Sequence, residues 1–308
     1  MVFGPVPSRR LGMSLGINTI PYKNCSYSCV YCQLGPTRNI QIHRGYFYDL
    51  KELVEEVRKK LHSLSVRGVR VDYLTLVTDG EPTLDKGLGR TIEALKQFGI
   101  KIAVLTNGSL LGLGEVQKDL MSADLVSIKV DALSEDVWKS INRPHPNIDH
   151  INILLGILDF SKNFSACLLT ETMLIESMND DYAEIIKIAA FLQKLNPNHS
   201  YITLPLRPPA ETGIKSPSSS FQKAVLDIFH DAHLPAELLN VPEGNNFPVG
   251  DQFEENVLSI VSVHPMREET LRKLANRSGY NWQGIERMVK TRKLHKKVYN
   301  QETYYSRY

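Results

Sequence analysis

The sequence predicts an α/β protein built on a largely parallel sheet, followed by a small C-terminal module of helices and a hairpin. Six short apolar stretches alternate with segments whose apolar residues have helical spacing, and this alternation is typical of βαβ units. After residue 250 the pattern changes to three short helices and one alternating segment. Periodicity alone leaves two closures of the sheet open, a doubly wound sheet and a barrel-like arc. In both, functional groups lie at the carboxyl ends of the strands.

The predicted elements follow one another along the chain. Residues 1–20 form a short extended segment rich in turn-forming residues, and it runs into the first strand. Apolar residues three or four positions apart predict helices at about 50–64, 92–98, 149–161, 185–195 and 220–232. The six strands are predicted at 14–20, 73–77, 100–105, 125–130, 166–175 and 201–206.

The change of pattern predicts two domains, residues 1–243 and 251–308, joined by a linker at 244–250. In the second domain, helices are expected at 254–263, 268–275 and 282–289, followed by a hairpin within 293–305. Three short helices and a hairpin are the order of a winged helix-turn-helix. The expected architecture is therefore an α/β body with a small winged-helix-like domain.

Composition and charge exclude some classes of protein. The chain has 308 residues, of which 42% are hydrophobic and 23% charged, the proportions of a globular protein in water. No apolar signal segment opens the chain, and the longest apolar stretch, near 151–158, is too short to span a bilayer. We expect a cytoplasmic protein with no membrane partner. Residues 253–308 carry eleven Lys and Arg against six Asp and Glu, a local basic surplus that suits an anionic partner.

Three of the four cysteines fall within eight residues, in Cys25-Ser-Tyr-Ser-Cys29-Val-Tyr31-Cys32. In a reducing compartment such clustering indicates metal binding rather than disulfides. A structural zinc ion normally takes four ligands, so a zinc site would need a further residue such as His43. Three thiolates can instead hold three irons of a [4Fe–4S] cluster and leave the fourth open. The last cysteine, Cys167, falls inside an apolar strand.

The cysteine motif, with Tyr31 before its last cysteine, and the downstream Gly80-Glu81-Pro82-Thr83-Leu84 resemble the radical S-adenosylmethionine (SAM) superfamily over about residues 15–210. The resemblance implies a partial (β/α)6 TIM-like barrel. It also implies an enzyme with one [4Fe–4S] cluster, held by Cys25, Cys29 and Cys32, whose open iron binds SAM. Reductive cleavage of SAM would give a 5′-deoxyadenosyl radical that abstracts hydrogen from a substrate. An external electron donor of the flavodoxin or ferredoxin type is implied as well.

Within that superfamily, three segments resemble the Fe–S oxidoreductase group related to wybutosine-synthesis enzymes. They are residues 4–12 (Gly-Pro-Val-Pro-Ser-Arg-Arg-Leu-Gly), 32–35 (Cys-Gln-Leu-Gly) and 79–84 (Asp-Gly-Glu-Pro-Thr-Leu). Those tRNA enzymes hold a second cluster with additional N-terminal cysteines. Because this chain has only Cys167 to spare, a single cluster is expected.

The resemblance also implies a set of SAM contacts at the strand ends. Glycine permits close backbone approach to a ligand, Glu81 can accept hydrogen bonds from the SAM ammonium, and Lys129 can pair with the SAM carboxylate. Simple turn formation or solvation is the alternative for each residue. The full set of expected cofactor contacts is Tyr31, Gly80, Glu81, Pro82, Thr106, Asn107, Ser127, Lys129, Asp131 and Glu171.

Basic residues are the candidates for contact with a substrate or partner. Arg10 and Arg207 flank the predicted barrel and are expected at its mouth. The C-terminal module has three open roles: a structural cap, a nucleic-acid-binding surface such as one for tRNA, and a peptide or protein recognition domain. A redox-sensing transcriptional regulator that binds DNA is the alternative to an enzyme. The expected contact residues of the module are Arg287, Lys290, Lys293 and Lys296.

Overall fold

The computed structural model describes residues 1–241, 244, 247–248 and 252–307. The strands are β1 (Val2–Ser8), β2 (Gly12–Ile17), β3 (Asn24–Cys25), β4 (Asn39–Ile40), β5 (Tyr73–Leu76), β6 (Lys101–Thr106), β7 (Leu125–Lys129), β8 (Cys167–Met173), β9 (His199–Thr203), β10 (Ala236–Leu239), β11 (Met266–Arg267), β12 (His295–Tyr299) and β13 (Glu302–Ser306). The helices are α1 (Leu50–Val66), α2 (Leu88–Leu95), α3 (Gly114–Leu120), α4 (Glu135–Asn142), α5 (His150–Asn163), α6 (Tyr182–Leu195), α7 (Ser219–Asp231), α8 (Phe253–Val261), α9 (Glu268–Ser278) and α10 (Trp282–Lys290).

One sheet runs in the order β1-β2-β5-β6-β7-β8-β9-β10. Neighbouring strands from β2 to β10 are parallel, and β1 is antiparallel to β2. The parallel strands follow chain order in one direction, without the reversal that a doubly wound sheet has at its switch point. Within the described residues, the edge strands β1 and β10 do not pair with each other. The sheet is thus consistent with a partial barrel.

All six predicted strands are present, but the sheet has two more. β1 contains Pro5 and Pro7, which favour a turn in a sequence-based prediction yet are tolerated in an edge strand because its outer side needs no ladder bonds. β10 is only four residues long and follows α7 closely. The short helices α3 and α4 were also not predicted. Strand six begins two residues earlier than expected, at His199.

The helices begin at residues whose side chains satisfy the free backbone N–H groups of the first turn. Asp49, Asp149, Asp181 and Ser218 each accept a hydrogen bond from a backbone N–H at the start of α1, α5, α6 and α7. Asn281 does the same for α10. Such caps typically contribute about 1 kcal/mol each. These caps fix where the helices begin. They thereby also fix the adjoining loops, which carry the polar groups described below.

The two largest apolar clusters of the described residues lie in the two parts of the chain. The larger one joins the sheet to the helices α1 to α7. The smaller one fills the C-terminal module and includes Val257 of α8, Leu271 of α9 and Ile285 of α10. Val6 of β1 packs against this second core, so the module is attached to the edge of the sheet through apolar contact.

The C-terminal module has the three predicted helices and the predicted hairpin. Its order is α8-β11-α9-α10-β12-β13, and β11 joins the hairpin in a sheet ordered β11-β13-β12. The predicted domain limits at 243 and 251, and most of the expected linker at 244–250, lie outside the described residues. Phe247, which is described, is buried against the core of the module. No helix in the described part of the chain is long and apolar enough to cross a membrane.

Candidate active site

A cavity of about 350 Å³ opens at the carboxyl ends of the parallel strands. Its size lies at the lower end of the usual range for small-molecule sites, about 300–1,000 Å³. Residues within β6, β7, β8 and β9 and residues after β5, β6 and β9 line it, together with the cysteine loop and part of the C-terminal module. The predicted site residues that line it are Arg10, Cys25, Cys29, Tyr31, Cys32, Gly80, Glu81, Thr106, Asn107, Ser127, Lys129, Glu171 and Arg207.

The cysteine loop is held against the body at several points along its backbone. Cys25 ends β3, which pairs with β4 in a two-stranded sheet. Farther along, Val30 N donates to Ile141 O of α4 at 2.9 Å, and Cys32 N donates to Cys29 O at 3.1 Å. The three thiols face the cavity from a loop that is fixed to β4 at Cys25 and to α4 at Val30.

Each cysteine sulfur accepts one hydrogen bond from a side-chain nitrogen. Asn107 Nδ2 lies 3.6 Å from Cys25 Sγ and Asn142 Nδ2 lies 3.4 Å from Cys29 Sγ.

The third donor is Lys23, whose Nζ lies 3.2 Å from Cys32 Sγ.

Within the described residues, no group of three or more His, Cys, Asp or Glu side chains surrounds a single metal position. Ligands of a four-iron cluster bind separate irons, so they need not converge on one point. The donor set fits a cluster better than a zinc ion shared with His43.

Burial favours the protonated forms of the Cys25 and Cys29 thiols. Desolvation raises the pKa of the Cys25 thiol well above its ordinary value, and the nearby Glu81 carboxylate adds to the effect. Desolvation also raises the pKa of Cys29 to about 12, against the hydrogen bond from Asn142. Iron binds thiolates, so cluster assembly must release these protons.

The Gly80-Glu81-Pro82 turn joins the cysteine loop to the sheet. A Cβ at Gly80 would lie 1.6 Å from the backbone oxygen of Asn24, so the close approach that requires glycine is that of β3. Pro82 opens a short 3₁₀ turn, Pro82–Leu84, and is buried away from the cavity. The expectation that Pro82 contacts the cofactor is thus not supported, because it shapes the turn from behind.

Glu81 is almost fully buried and its carboxylate accepts four hydrogen bonds. Oε1 accepts from Thr83 N at 3.0 Å, Thr83 Oγ1 at 2.7 Å and Thr106 Oγ1 at 2.5 Å, and Oε2 accepts from Asn107 N at 2.8 Å. A carboxylate offers about four acceptor sites. Three of the four bonds fall on Oε1, so Oε2 keeps room for another donor, and acceptance from a SAM ammonium by Glu81 stays a prediction. The same carboxylate joins the turn to the end of β6.

Asp131 also has a structural role and does not lie in the cavity. Its Oδ1 accepts from Met173 N at 2.9 Å. Its Oδ2 accepts from Asn142 Nδ2 at 2.8 Å and from the Tyr31 hydroxyl. Asp131 is buried and does not line the cavity. The expected direct contact between Asp131 and the cofactor is thus not supported. Asp131 instead orients Tyr31 and Asn142, which do face the cysteine loop.

One carboxylate forms ion pairs with two cations at the cavity wall. Glu171 forms an ion pair with Arg10 and another with Lys129, whose Nζ lies 2.7 Å from Oε1. Lys129 also lies over the Tyr31 ring, 4.9 Å from its centroid. Desolvation lowers the pKa of Lys129, against the attraction of Asp131. The three charges sum to one positive charge facing the cavity, which suits an anionic group of a ligand.

The roof of the cavity comes from the C-terminal module. Gln33, next to Cys32, bridges the two parts: its Nε2 donates to Val263 O at 3.0 Å, and its Oε1 accepts from Arg207 Nη1 at 2.9 Å. Arg207 Nη2 also lies 3.2 Å from His264 Nε2. Further cavity-lining residues of the module are Pro265, Met266, Arg267, Thr270 and Tyr304.

A family model described as the Radical SAM superfamily matches residues 19–192. The chain belongs to the radical SAM superfamily. A UPF0026 protein of Methanocaldococcus jannaschii is 44% identical over 307 residues, which cover 99% of this chain and 95% of that protein. A UPF0026 protein of Helicobacter pylori is 36% identical over 199 residues, which cover 64% of this chain and 63% of that protein.

Solved structures of the superfamily share the fold. A radical SAM methyltransferase from Sphaerobacter thermophilus matches with a TM-score of 0.55 and 18% identity, over 73% of this chain and 66% of that chain. TYW1 with a lysine-pyruvate adduct bound matches with a TM-score of 0.53 and 17% identity, over 71% of this chain and 73% of that chain. At these identities the likeness shows the fold alone.

Radical SAM enzymes use a [4Fe–4S] cluster and SAM and need an external reductant. The residues of this chain fit both cofactors, since three thiols with their own N–H donors share one cavity with polar strand ends. Thr106, Asn107 and Ser127 stand at the ends of β6 and β7 on the wall beside the cysteines. Asn107 also donates to Ser26 Oγ at 2.9 Å, which fixes its amide beside Cys25.

The predicted contact residues of the module lie outside this radical SAM cavity. Arg287, Lys290 and Lys293 are exposed at the end of α10 and just after it. Lys296 of β12 is exposed too and lies 3.4 Å from Glu268. They form a surface on the module away from the cavity lining.

Sequence reasoning missed Lys23, Asn142 and Gln33. Lys23 stands two residues before the first cysteine, and nothing in the local sequence indicated that this lysine is buried. Asn142 ends α4, a helix that was not predicted. Gln33 follows Cys32 directly, yet its partner Val263 lies 230 residues away, a separation that no local pattern can reveal.

Proposed function

We propose that this protein reductively cleaves SAM at a single [4Fe–4S] cluster held by Cys25, Cys29 and Cys32. The observation that supports this most directly is that the three thiols and the polar strand ends open into one cavity. When bound, the two cofactors supply the 5′-deoxyadenosyl radical that abstracts a hydrogen atom from the substrate. The later fate of the substrate radical decides whether the enzyme is an oxidoreductase or a transferase.

The chain's own residues would bind, orient and shield. Lys129, with Arg10 and Glu171 beside it, offers one net positive charge for the SAM carboxylate. Tyr31, held by Asp131, presents its ring at the wall. The C-terminal module covers the opening, and excluding water there protects a reactive radical from side reactions.

Cys167 supports the assignment of a single cluster. It lies at the start of β8 and packs with Ala103 and Leu125, and it does not line the cavity. A second cluster, as wybutosine-synthesis enzymes hold, has no further cysteine in this sequence. We therefore propose a relation to that group in fold and first cluster, with a different reaction.

We further propose that the C-terminal module is a winged helix-turn-helix that contacts a macromolecular substrate, with tRNA as the favoured class. Its element order and three-stranded sheet match that motif. The exposed basic residues Arg287, Lys290 and Lys293 follow one another along the end of α10, and this pattern suits phosphates better than a peptide chain.

The radical chemistry is tested by 5′-deoxyadenosine production. Protein reconstituted with iron and sulfide under anaerobic conditions is incubated with SAM and dithionite. It is compared with a Cys25→Ala/Cys29→Ala/Cys32→Ala variant. Product from the wild type alone is expected. A wild type that binds a cluster yet forms no product would favour the redox-sensing regulator, which would then shift a DNA duplex in the same preparation.

The tRNA contact is tested by salt-dependent binding. The variant Arg287→Gln/Lys290→Gln/Lys293→Gln should weaken tRNA binding and reduce the slope of log K against log salt by up to about 2–3, from about 0.7–0.9 for each of three lost phosphate contacts. The control, Lys51→Gln/Lys59→Gln/Lys162→Gln, removes the same charge from exposed positions of α1 and α5. Equal slopes in the two variants would count against this surface, and a precursor peptide would be tested in its place.

A further inference from the structure

The donor to the last cysteine differs from the other two. Asn107 and Asn142 are neutral amides, while Lys23 presents an ammonium group to Cys32 Sγ. Lys23 is 2% exposed and does not line the cavity. Its charge therefore approaches the cysteine loop from behind, on the side away from the space for SAM.

A lysine at this position is energetically unfavourable for two reasons. A buried lysine loses its hydration, which is expensive unless a partner compensates for it. Lys23 also has a φ of 57°, a left-handed conformation that glycine or asparagine adopts more easily. Strained non-glycine residues of this kind are concentrated at functional sites.

The backbone around Lys23 fixes the direction of its side chain. Its N–H donates to Asp79 O at 3.1 Å, and its carbonyl oxygen accepts from Asn39 N at 3.1 Å. Asp79 precedes the Gly80-Glu81-Pro82 turn, and Asn39 belongs to β4. The lysine is thus held between the two segments that support the cysteine loop.

A positive charge and N–H donors beside a cluster sulfur favour its reduced form. Reduction adds one electron to the cluster, so the reduced form carries one more negative charge. Hydrogen bonds to the sulfurs, net charge and solvent exposure are the main levers on cluster potential. In a water-excluded position, a full charge has a larger effect than an amide dipole.

We propose that Lys23 is a positioning residue of the cluster site whose ammonium group raises the reduction potential of the cluster. Asn107 and Asn142 add a neutral donor to each of the other thiolates. The inference rests on the proposed cluster but not on SAM cleavage. One electron passes from the external donor to the oxidised cluster, the donor is oxidised by one electron, and the nearby lysine charge offsets part of the added negative charge.

The test is an anaerobic redox titration of the loaded protein, followed by the electron paramagnetic resonance signal of the reduced cluster. At the wild-type midpoint, Lys23→Met should lower the reduced fraction from one half to about one tenth, which is a tenfold change in the ratio of reduced to oxidised cluster and corresponds to about 59 mV for one electron. Lys23→Arg, which keeps the charge, should stay near one half. Lys86→Met is the matched control, because it removes the same charge from an exposed side chain.

A fully loaded Lys23→Met protein with a wild-type midpoint would overturn the inference. If the Lys23 variants bind no cluster, the wild type labelled with ε-¹⁵N-lysine serves instead. A hyperfine coupling between the reduced cluster and a lysine nitrogen supports the contact with Cys32, and its absence overturns it. Both measurements omit SAM, so a failure to form 5′-deoxyadenosine leaves them interpretable. A wild type that binds no cluster at all overturns the proposed function together with this inference.

Discussion

At the scale of single residues, the surroundings decide what each carboxylate in this site does. Glu81 accepts hydrogen bonds from four protein donors, whereas Glu171 is shared by two cations at the cavity wall. The first is a structural anchor and the second adjusts the charge that a ligand meets. Both are glutamates at strand ends, so only their partners separate the two roles.

Lys129 should matter for SAM affinity. Lys129→Met removes the net positive charge from the wall, and we expect SAM to bind about tenfold more weakly, or about 1.4 kcal/mol, because a charge-assisted contact is lost. Equilibrium dialysis on cluster-loaded protein measures the change. Lys139→Met, at an exposed residue paired with Glu135, should leave the affinity unchanged. Equal affinity in the two variants would remove Lys129 from the SAM site.

Asp79 should make stability depend on pH. Burial raises its pKa to about 6, above its ordinary value of 3.8, against the hydrogen bond from Asn18. The folded state therefore binds this proton more tightly than the unfolded state, and stability falls as pH rises from about 4 to about 6. Above that range the penalty is complete and amounts to at most about 3 kcal/mol.

Asp79→Asn should remove this dependence. Near pH 7 the variant should be more stable than the wild type, and the difference should vanish toward pH 4. Denaturant unfolding of both proteins in cluster-free form, at several pH values, measures the difference. A constant difference across the range would mean that the Asp79 carboxyl does not titrate in this way. Its Oδ1 has no hydrogen-bond partner among the described residues, which agrees with a costly burial.

At the scale of secondary-structure elements, the turn after β5 and the short strand β3 must approach each other closely. Gly80→Ala would place a methyl group against the Asn24 carbonyl, at 1.6 Å before any movement. Backbone cannot move aside as a flexible side chain can, so the cysteine loop should shift. We expect the variant to bind well below half of the wild-type iron, measured by iron and sulfide analysis.

Gly114→Ala is the control for that change. Nothing lies within 4 Å of a Cβ at Gly114, and the residue begins α3 without a positive φ. Alanine should be neutral or slightly stabilising there, with full iron content. Full iron content in Gly80→Ala as well would show that β3 can give way.

At the scale of the whole molecule, the C-terminal module and the barrel form one cavity. Tyr299 of β12 donates to Pro205 O at 2.7 Å and lies 3.1 Å from Ile214 O. Together with the Gln33 bridge and the packing of Val6 on the module core, this contact attaches the module on two sides of the opening. The module is therefore part of the active-site wall.

Tyr299→Phe should lower the free energy of unfolding by about 1 kcal/mol, the usual net value of one hydrogen bond. The module should still unfold with the barrel in one transition, because apolar contact joins them. Denaturant unfolding followed by two probes tests both statements. Tyr46→Phe, at a tyrosine that is 65% exposed, should change nothing. Two separate transitions in the wild type would mean that the module folds independently.

The sequence by itself predicted six of the eight strands of the large sheet, the helices other than α3 and α4, and the three cysteines that we propose hold the cluster. Apolar periodicity reports which segments form strands and helices, and ligand spacing on one loop is a local property. It also predicted the helices and hairpin of the module. It did not predict β1, where prolines mark an edge strand that resembles a turn.

Only the tertiary structure decided which residues meet across the cavity. It paired Lys23 with Cys32, gave Glu81 and Asp131 to internal hydrogen bonds, and brought the module over the barrel mouth through Gln33. These are contacts between distant segments or depend on burial and side-chain direction. Local composition and spacing carry no information on them, because the distances are set by how the strands and helices pack.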